Sequence, residues 1–337
     1  MKLAFIIDPI HQLDPCHDTS VALMEAAQIL GHEVWVTQAN WLSVVNSKAW
    51  AILHRVELVP IQLVEGRWVA TNPWYKLGDG LRPAGGDGVP PSVADRTFNS
   101  LETMDAVFMR TDPPVNDAYL FATYVLDYID QNKTLVINNP DGIRRANEKM
   151  YALQFTKAIP ETIVSADKQF IRQFVEAKGA TVLKPLGNKA GEGILFLQAG
   201  DRNFNSIVEL STQQGRLPVM VQTYLPEAKE GDKRIILLNG EPIGALNRLA
   251  SSSDFRNNMA TGGTVAKTEI TPREQEICSQ IATNLRRDGL IFVGIDVIGG
   301  YLTEVNVTSP TGIREIDRLD GTHLAHQVIQ WVEQNQK

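Results

Sequence analysis

Two strand–helix–strand rhythms near the N-terminus, a compact βαββαβ stretch in the middle and an apolar hairpin broken by acid side chains near the C-terminus predict an α/β chain of several domains. Its 337 residues exceed what one hydrophobic core comfortably fills, since single cores stop growing near ~250 residues. Hydrophobic residues make up 43% and charged residues 21%, the balance of an ordinary globular protein.

The first element is "LAFIID" (Leu3 to Asp8), an apolar run suited to a buried parallel strand. A helix follows in "DTSVALMEAAQILG", capped at Asp18 or Thr19 and stopped by Gly31, and "HEVWVT" completes the unit. A second unit comes from "DAVFMR", "DAYLFATYVLDYIDQ" and "TLVINN", so residues 1–139 read as a doubly wound α/β domain. Between the units, Asn72 to Ser92 is rich in Gly and Pro and reads as a surface loop.

From residue 140 to 225 the order is strand "ETIVS", helix "DKQFIRQFVEAKG", strands "TVLKPL" and "GILFLQ", helix "FNSIVELSTQQG" and strand "LPVMVQTYL". Residues 226–337 add strands "KRIILLNG" and "PIGALNRL", a polar loop from Leu249 to Gly263 that reads as a lid, helix "PREQEICSQIATNLRRDG", a hairpin and the helix "GTHLAHQVIQWVEQ". His323 and His326 lie three apart on that last helix, but no third ligand adjoins them, so they read as a packed or solvated pair.

The hairpin "FVGIDVIGGYLTEVNV" carries the chemistry. Alternation puts Val293, Ile295 and Val297 on one face with Thr303, Val305 and Val307, leaving Asp296, Leu302, Glu304 and Asn306 on the other. Joining the apolar rows calls for an odd loop, the three residues Gly299, Gly300 and Tyr301, with Asp296 opposite Glu304 and Asn306 within ~7 Å. Two carboxylates so placed repel unless a cation intervenes, and acid and amide oxygens are hard ligands for Mg²⁺, with Mn²⁺ as an alternative.

Such a metal takes its remaining ligands from phosphates, which calls for lysines nearby. Lys184 sits inside the apolar strand "TVLKPL", where an ammonium is costly without an anion; Lys149 lies on the helix read in "NEKMYALQF". The link "GNKAGEG" lets backbone N–H groups approach phosphate oxygens, although it matches neither the P-loop nor the dinucleotide fingerprint.

Together "NEKMYALQF", "LKPLGNKAGEGILF", "MVQTYLP", "GDKRIILLNGEPIGALNR", "ATGG" and "GLIFVGIDVIGGYLTEVNVTSPTGIREI" resemble the ATP-grasp ligases, and among them the bacterial-type glutathione synthetases. The resemblance covers nearly the whole chain; Asn188 and Lys189 stand where the family is richer in glycine. It implies that two ATP-grasp subdomains follow the N-terminal domain, and that γ-glutamylcysteine is joined to glycine as ATP becomes ADP and phosphate. By resemblance, Lys149, Lys184, Gly187, Gly191, Gly193, Gln222, Tyr224 and Leu225 contact ATP. Asp296, Glu304 and Asn306 hold Mg²⁺, and Arg234, Arg248 and Arg256 surround the reacting carboxyl. Asp18, Ser20, Arg110, Ser309, Pro310 and Thr311 hold the peptide, and the family is commonly a homo-oligomer, often a tetramer. The alternatives are a different ATP-grasp carboxylate–amine ligase and a regulatory protein that binds nucleotide without chemistry.

The net charge of −7 disfavours a nucleic-acid partner. Cys16 and Cys278 alone provide neither a disulfide framework nor a thiolate zinc site, which fits a reducing cytoplasm. The N-terminal apolar run is broken by Asp8 and Pro9, too short for a secretion signal or a membrane span, so a soluble chain without a membrane partner is expected.

Overall fold

In the computed structural model, residues 1–78, 82–83, 97–188, 191–250 and 263–336 are described. The N-terminal part contains β1 (Lys2–Ile6), α1 (Thr19–Ile29), β2 (Glu33–Thr37), β3 (Leu42–Val45), β4 (Lys48–Leu58), β5 (Gln62–Val64), β6 (Arg67–Val69), β7 (Tyr75–Leu77), β8 (Arg82–Pro83), β9 (Thr97–Ser100), β10 (Ala106–Met109), α2 (Asp117–Leu126) and β11 (Leu135–Ile137). Its sheet runs β11-β10-β1-β2-β4-β7-β8, parallel from β11 to β2 and antiparallel beyond. Because β1 connects outward to β2 on one side and β10 to β11 on the other, the order reverses between β1 and β10. A crevice opens there at the strands' carboxyl ends.

Asp18 caps α1 by accepting the Val21 amide at 3.0 Å, as the sequence predicts. The antiparallel extension is not predicted. Within the stretch read as a loop from Asn72 to Ser92 lie two short strands, β7 and β8, while residues 79–81 and 84–92 fall outside the described residues. Strands β3 and β5 to β9 are short, and the 11-residue β4 alternates buried with partly exposed or exposed side chains, so none shows the continuous apolar run that marks β1 and β10.

The middle of the chain holds α3 (Pro140–Arg145), β12 (Thr162–Ser165), α4 (Lys168–Lys178), β13 (Ala180–Pro185), β14 (Leu195–Gln198), α5 (Phe204–Ser211) and β15 (Val219–Thr223). Its four strands form an antiparallel sheet, β12-β15-β13-β14. Helices α4 and α5 close a small core of its own around Ile171, Val175, Leu183, Leu197, Phe204 and Val221. Lys149 is not on an α-helix: it is the N-cap of a 3₁₀ turn, Met150–Gln154, because Asn147 Oδ1 accepts the amides of Lys149 and Met150 and tightens the start.

The remainder comprises β16 (Asp232–Leu238), β17 (Glu241–Leu249), β18 (Thr264–Lys267), α6 (Pro272–Arg287), β19 (Phe292–Ile298), β20 (Tyr301–Asn306), α7 (Ile313–Asp320) and α8 (Leu324–Asn335). The five strands form an antiparallel sheet, β18-β17-β16-β19-β20. Helix α7 is not predicted; it starts at Gly312 with φ +123, a backbone that favours glycine.

This sheet is fastened to the N-terminal one. Asn138, just past β11, donates to the carbonyls of Phe292 and Val307 at 2.8 Å and accepts the amides of Ile291 (2.7 Å) and Phe292 (2.8 Å). Each buried bond of this kind contributes about 1 kcal/mol and, once unmade, leaves a costly orphan. Apolar side chains of both sheets fill common cores, Leu53 and Val107 with Ile295 and Val305, and Phe5 and Phe108 with Phe292 and Ile313. Among the described residues, no helix is long and apolar enough to cross a membrane.

Candidate active site

The hairpin differs from expectation in its turn and agrees in its register. Gly299 and Gly300 alone form the loop, with φ of +54 and +78, and Ile298 pairs with Tyr301. Left uncorrected, that turn would put Glu304 on the wrong face. A bulge between Asp296 and Val297 inserts Thr303 as an extra residue of β20, so Val297 pairs with Leu302 while Asp296 still pairs with Glu304. Thr303 Oγ1 donates to the Asp296 carbonyl at 3.2 Å inside the bulge. As a result Leu302, expected beside the acids, packs in the core, and Thr303, expected in the core row, lines the cavity.

Strand register assembles the charged face. Arg248 on β17 lies opposite Asp232 on β16; Arg234, two residues along the same face, lies opposite Asp296; Asp296 lies opposite Glu304; and Asn306 lies opposite Gly294. Arg234 grips Asp296 with Nε to Oδ1 at 2.5 Å and Nη2 to Oδ2 at 2.9 Å. Arg248 Nη2 bridges Asp296 Oδ2 (2.9 Å) and Asp232 Oδ2 (2.7 Å). Gly294 makes room for this: a Cβ there would stand 2.9 Å from Pro310 Cβ and 3.1 Å from Arg234 Cδ.

Burial pushes the Asp296 carboxyl up, but Arg234 and Arg248 outweigh it and hold the group below the usual aspartate range. For Asp232 burial prevails over Arg248 and the neighbouring Asp296 charge adds to it, so its carboxyl is raised. At Arg248 burial is outweighed in turn by the two aspartates, which raise the guanidinium.

Above this face lies a cavity between the middle and C-terminal sheets, lined by Lys149, Lys184, Gln222, Asp232, Asp296 and Glu304 among others. Lys149 Nζ reaches Glu304 Oε1 at 2.9 Å and the Asn188 carbonyl at 2.8 Å. Lys184 Nζ donates to Gln222 Oε1 at 2.6 Å, and Gln222 Nε2 donates to Thr162 Oγ1 at 3.0 Å. Tyr224, Leu225 and Gly191 also line the cavity, with Tyr224 edge-on to Phe196 at 5.1 Å. Gly187 and Gly193 do not; Gly193 instead sits against Pro185 with φ +69.

Burial lowers the Lys184 pKa, against the pull of Glu304. A polyanion bound beside it restores the charge, so binding takes up a proton once pH passes the free lysine's pKa. Affinity for such a polyanion is therefore expected to weaken as pH rises through that point. Calorimetry in alkaline buffers of different ionisation enthalpy reads the proton, and Lys184→Arg should abolish it; proton uptake unchanged in that variant would refute the assignment.

On the other side of the arginines, the peptide-site candidates divide. Arg110 Nε donates to Ser20 Oγ at 3.1 Å and Nη2 to the Pro310 carbonyl at 3.0 Å, while Arg234 Nη1 donates to the Thr311 carbonyl at 3.3 Å. One segment, residues 309–311, is thus held from both domains. Ser309 lies within it, half-buried, and Asp18 stands at the rim of the neighbouring crevice. Arg256 and residues 251–262 of the expected lid, with Lys189 and Ala190 of the glycine-rich link, lie outside the described residues.

Three further residues belong to the site. Asp232 could have been found from its place two residues before Arg234 on one strand face. Glu148 accepts the amides of Val307 (3.0 Å) and Thr308 (3.1 Å) and the Thr308 hydroxyl (2.8 Å), fixing the chain just past Asn306. Burial and Glu304 raise its carboxyl. Thr303 could be found only once the bulge was seen.

As a metal site the donor set fits. Asp296, Glu304 and Asn306 share one face, and their carboxylate and amide oxygens are the hard donors Mg²⁺ takes, with Glu304 and Asp296 paired to Lys149 and Arg234 in this structure. Among the described residues no three His, Cys, Asp or Glu side chains converge, so a metal here would take oxygens from beyond the protein, such as phosphate, to complete its shell.

Two sheets closing on a lysine-lined cavity, with paired acids on the floor, define an ATP-grasp ligase. Solved structures with this fold include the D-cycloserine synthetase DcsG (TM-score 0.63, 14% identity, covering 99% of each chain). The ATP-grasp ligase PsnB complexed with its minimal precursor is another (TM-score 0.61, 17% identity, covering 98% of each chain). The family model for the prokaryotic glutathione synthetase N-terminal domain matches residues 1–144, and that for its ATP-grasp domain matches residues 148–321. The glutathione synthetase of a Nostoc species is 88% identical over 335 residues, covering 99% of this chain and 98% of the relative. That of Thermosynechococcus vestitus is 62% identical over 332 residues, covering 98% and 99%. The chain belongs to the prokaryotic glutathione synthetase family.

Proposed function

We propose that the cavity between the two sheets binds ATP and that the face beside it joins the cysteinyl carboxyl of γ-glutamylcysteine to glycine. The chain is an ATP-dependent ligase of glutathione synthesis by its family, and ATP and Mg²⁺ are the family's requirements. The observation that carries the residue assignment is the convergence of Lys149 and Lys184 on a cavity whose floor is Asp296 and Glu304.

A carboxylate is a poor electrophile, so its oxygen first attacks the γ-phosphorus and breaks the bond to ADP. Glycine's amine then attacks the acyl carbon, loses a proton and expels phosphate. Lys149 and Lys184 hold the phosphates, and Gln222, by engaging Lys184, sets its position. Gly187, Gly191 and Gly193 shape the link over the phosphates, while Tyr224 and Leu225 flank the base. Arg234 and Arg248 hold Asp296 and, when the acids turn to cation, become free to face the reacting carboxyl. Asp296, Glu304 and Asn306 would hold Mg²⁺, which neutralises phosphate charge when bound; Mn²⁺ suits the same oxygens. Residues 309–311, with Arg110 and Ser20, cradle the peptide.

The separate core of the β12–β15 module supports treating it as a unit within the division into residues 1–139, 140–225 and 226–337, although residues 143–158 pack into the core the flanking sheets share. A homo-oligomer, tetrameric by family likeness, would bury the exposed Phe121, Tyr124 and Tyr128 on and beside α2, and the two free cysteines suit a cytoplasmic location.

Purified protein is expected to release phosphate from ATP only when γ-glutamylcysteine and glycine are both present. Release with another acid or amine in preference would replace this reading with a different ligase, and nucleotide binding without ligation of any pair would leave a regulatory protein.

A further inference from the structure

Strand β20 is the last of its sheet and pairs with β19 along one edge only. The amides along its other edge need partners from elsewhere in the chain. Glu148 supplies them with both its main chain and its side chain. Its carbonyl accepts the Val305 amide at 2.9 Å, and its Oε1 accepts the amides of Val307 (3.0 Å) and Thr308 (3.1 Å) with the Thr308 hydroxyl (2.8 Å). One residue therefore grips β20 on either side of Asn306. The next residue in sequence, Lys149, reaches Glu304 Oε1 from the same segment.

The positions of Glu304 and Asn306 are set by the strand that carries them. In this structure the Glu304 carboxylate is engaged by Lys149, an ammonium that nucleotide phosphates in the adjoining cavity would draw away. The bonds from Glu148 use neither the Glu304 nor the Asn306 side chain, so they persist when Lys149 turns to phosphate and keep β20 in place. A carboxylate oxygen that receives backbone amides is a stronger anchor than a neutral acceptor. Groups that orient metal ligands in this way govern affinity nearly as much as the ligands do.

We propose that Glu148 is a positioning residue for the cation: by clamping β20 around Asn306 it holds Glu304 and Asn306 at the spacing at which their oxygens engage Mg²⁺, and it ties that spacing to the segment bearing Lys149. Glu148 acts through the backbone and contributes no ligand of its own. The inference rests on, and deepens, the reading of Asp296, Glu304 and Asn306 as the Mg²⁺ ligands.

The affinity of the full chain for a nonhydrolysable ATP analogue, measured by calorimetry in EDTA and again in excess Mg²⁺, gives a ratio that reads how much the metal adds. Glu148→Ala is expected to cut that ratio by about 10-fold relative to the parent, the usual cost of removing a group that orients a ligand. Affinity in EDTA should hold, because Lys149 stays placed by Asn147 Oδ1 on its amide and the Asn188 carbonyl on its ammonium. Glu148→Gln leaves an oxygen for the same donors and should recover most of the ratio. Thr308→Val removes one donor while keeping the side chain's shape, and should cut the ratio by about threefold. It decides the matter if Glu148→Ala does not fold.

An unchanged ratio in Glu148→Ala or in Thr308→Val overturns the clamp. So does a Glu148→Gln ratio as low as that of Glu148→Ala, which would assign the effect to charge rather than to the bonds. Equal losses of affinity in EDTA and in Mg²⁺, with a lower thermal midpoint, would leave Glu148 a purely structural role and overturn it as well. A parent chain that gains nothing from Mg²⁺ sinks the metal reading itself and the clamp with it. Because neither peptide nor glycine enters the titration, the ligation reading stands or falls separately, on phosphate release.

Discussion

Glu304→Gln is expected to lower turnover by about 10³-fold while shifting the thermal midpoint by no more than about 2 °C. The activity figure follows from removing one preorganised charge from a phosphoryl-transfer site, where single electrostatic groups are worth about 10²–10³ or more. The stability figure follows from its surroundings. The Glu304 side chain is 23% exposed, and Lys149, its ion-pair partner among the described residues, keeps its bond to the Asn188 carbonyl when the charge is gone. Its main chain is already secured by pairing with Asp296. Steady-state phosphate release and a melting curve on the same preparation decide it, and activity within tenfold of the parent would refute the role assigned to Glu304.

Asp296→Asn should abolish turnover and also destabilise the protein, by about 3–5 kcal/mol, the usual cost of stripping one partner from a buried ion pair. Asp296 is 3% exposed and is the shared acceptor of Arg234 and Arg248, both buried. An amide leaves Asp232 to balance two guanidinium groups, and Asp232 faces only one of them closely. Denaturant unfolding measures the loss. Equal stability of the parent and the variant would show that the arginines find solvent or another acceptor, and would remove Asp296 from the centre of the network. The contrast between the two acids is the sharper test: neighbours on adjacent strands, one felt in activity alone and the other in both.

Much of this was legible before any coordinates. Alternation along two strands placed Asp296, Glu304 and Asn306 on one face, and Lys184 stood out because an ammonium in an apolar strand needs a reason. The long apolar runs of β1 and β10, the Asp18 cap and the helices α4 and α6 were read near their observed places. Strands β3 and β5 to β9 were not, because short, half-exposed segments carry little periodic signal, and β4 and α7 were not because β4 mixes polar residues into its length and α7 is only eight residues long. The turn was misjudged for a related reason. A Gly-Gly loop and a bulge at Thr303 compensate each other, and a parity argument sees only their sum.

The sequence by itself determined which side chains are candidates for the chemistry, since residue type and period-two spacing are local properties of each strand. Only the tertiary structure decided how they are engaged: that Arg234 and Arg248 share Asp296, that Glu148 secures residues 307 and 308, and that Arg110 ties Ser20 of α1 to Pro310. Those partners lie tens to hundreds of residues apart, and their meeting depends on cross-strand register and sheet order, which no local spacing encodes.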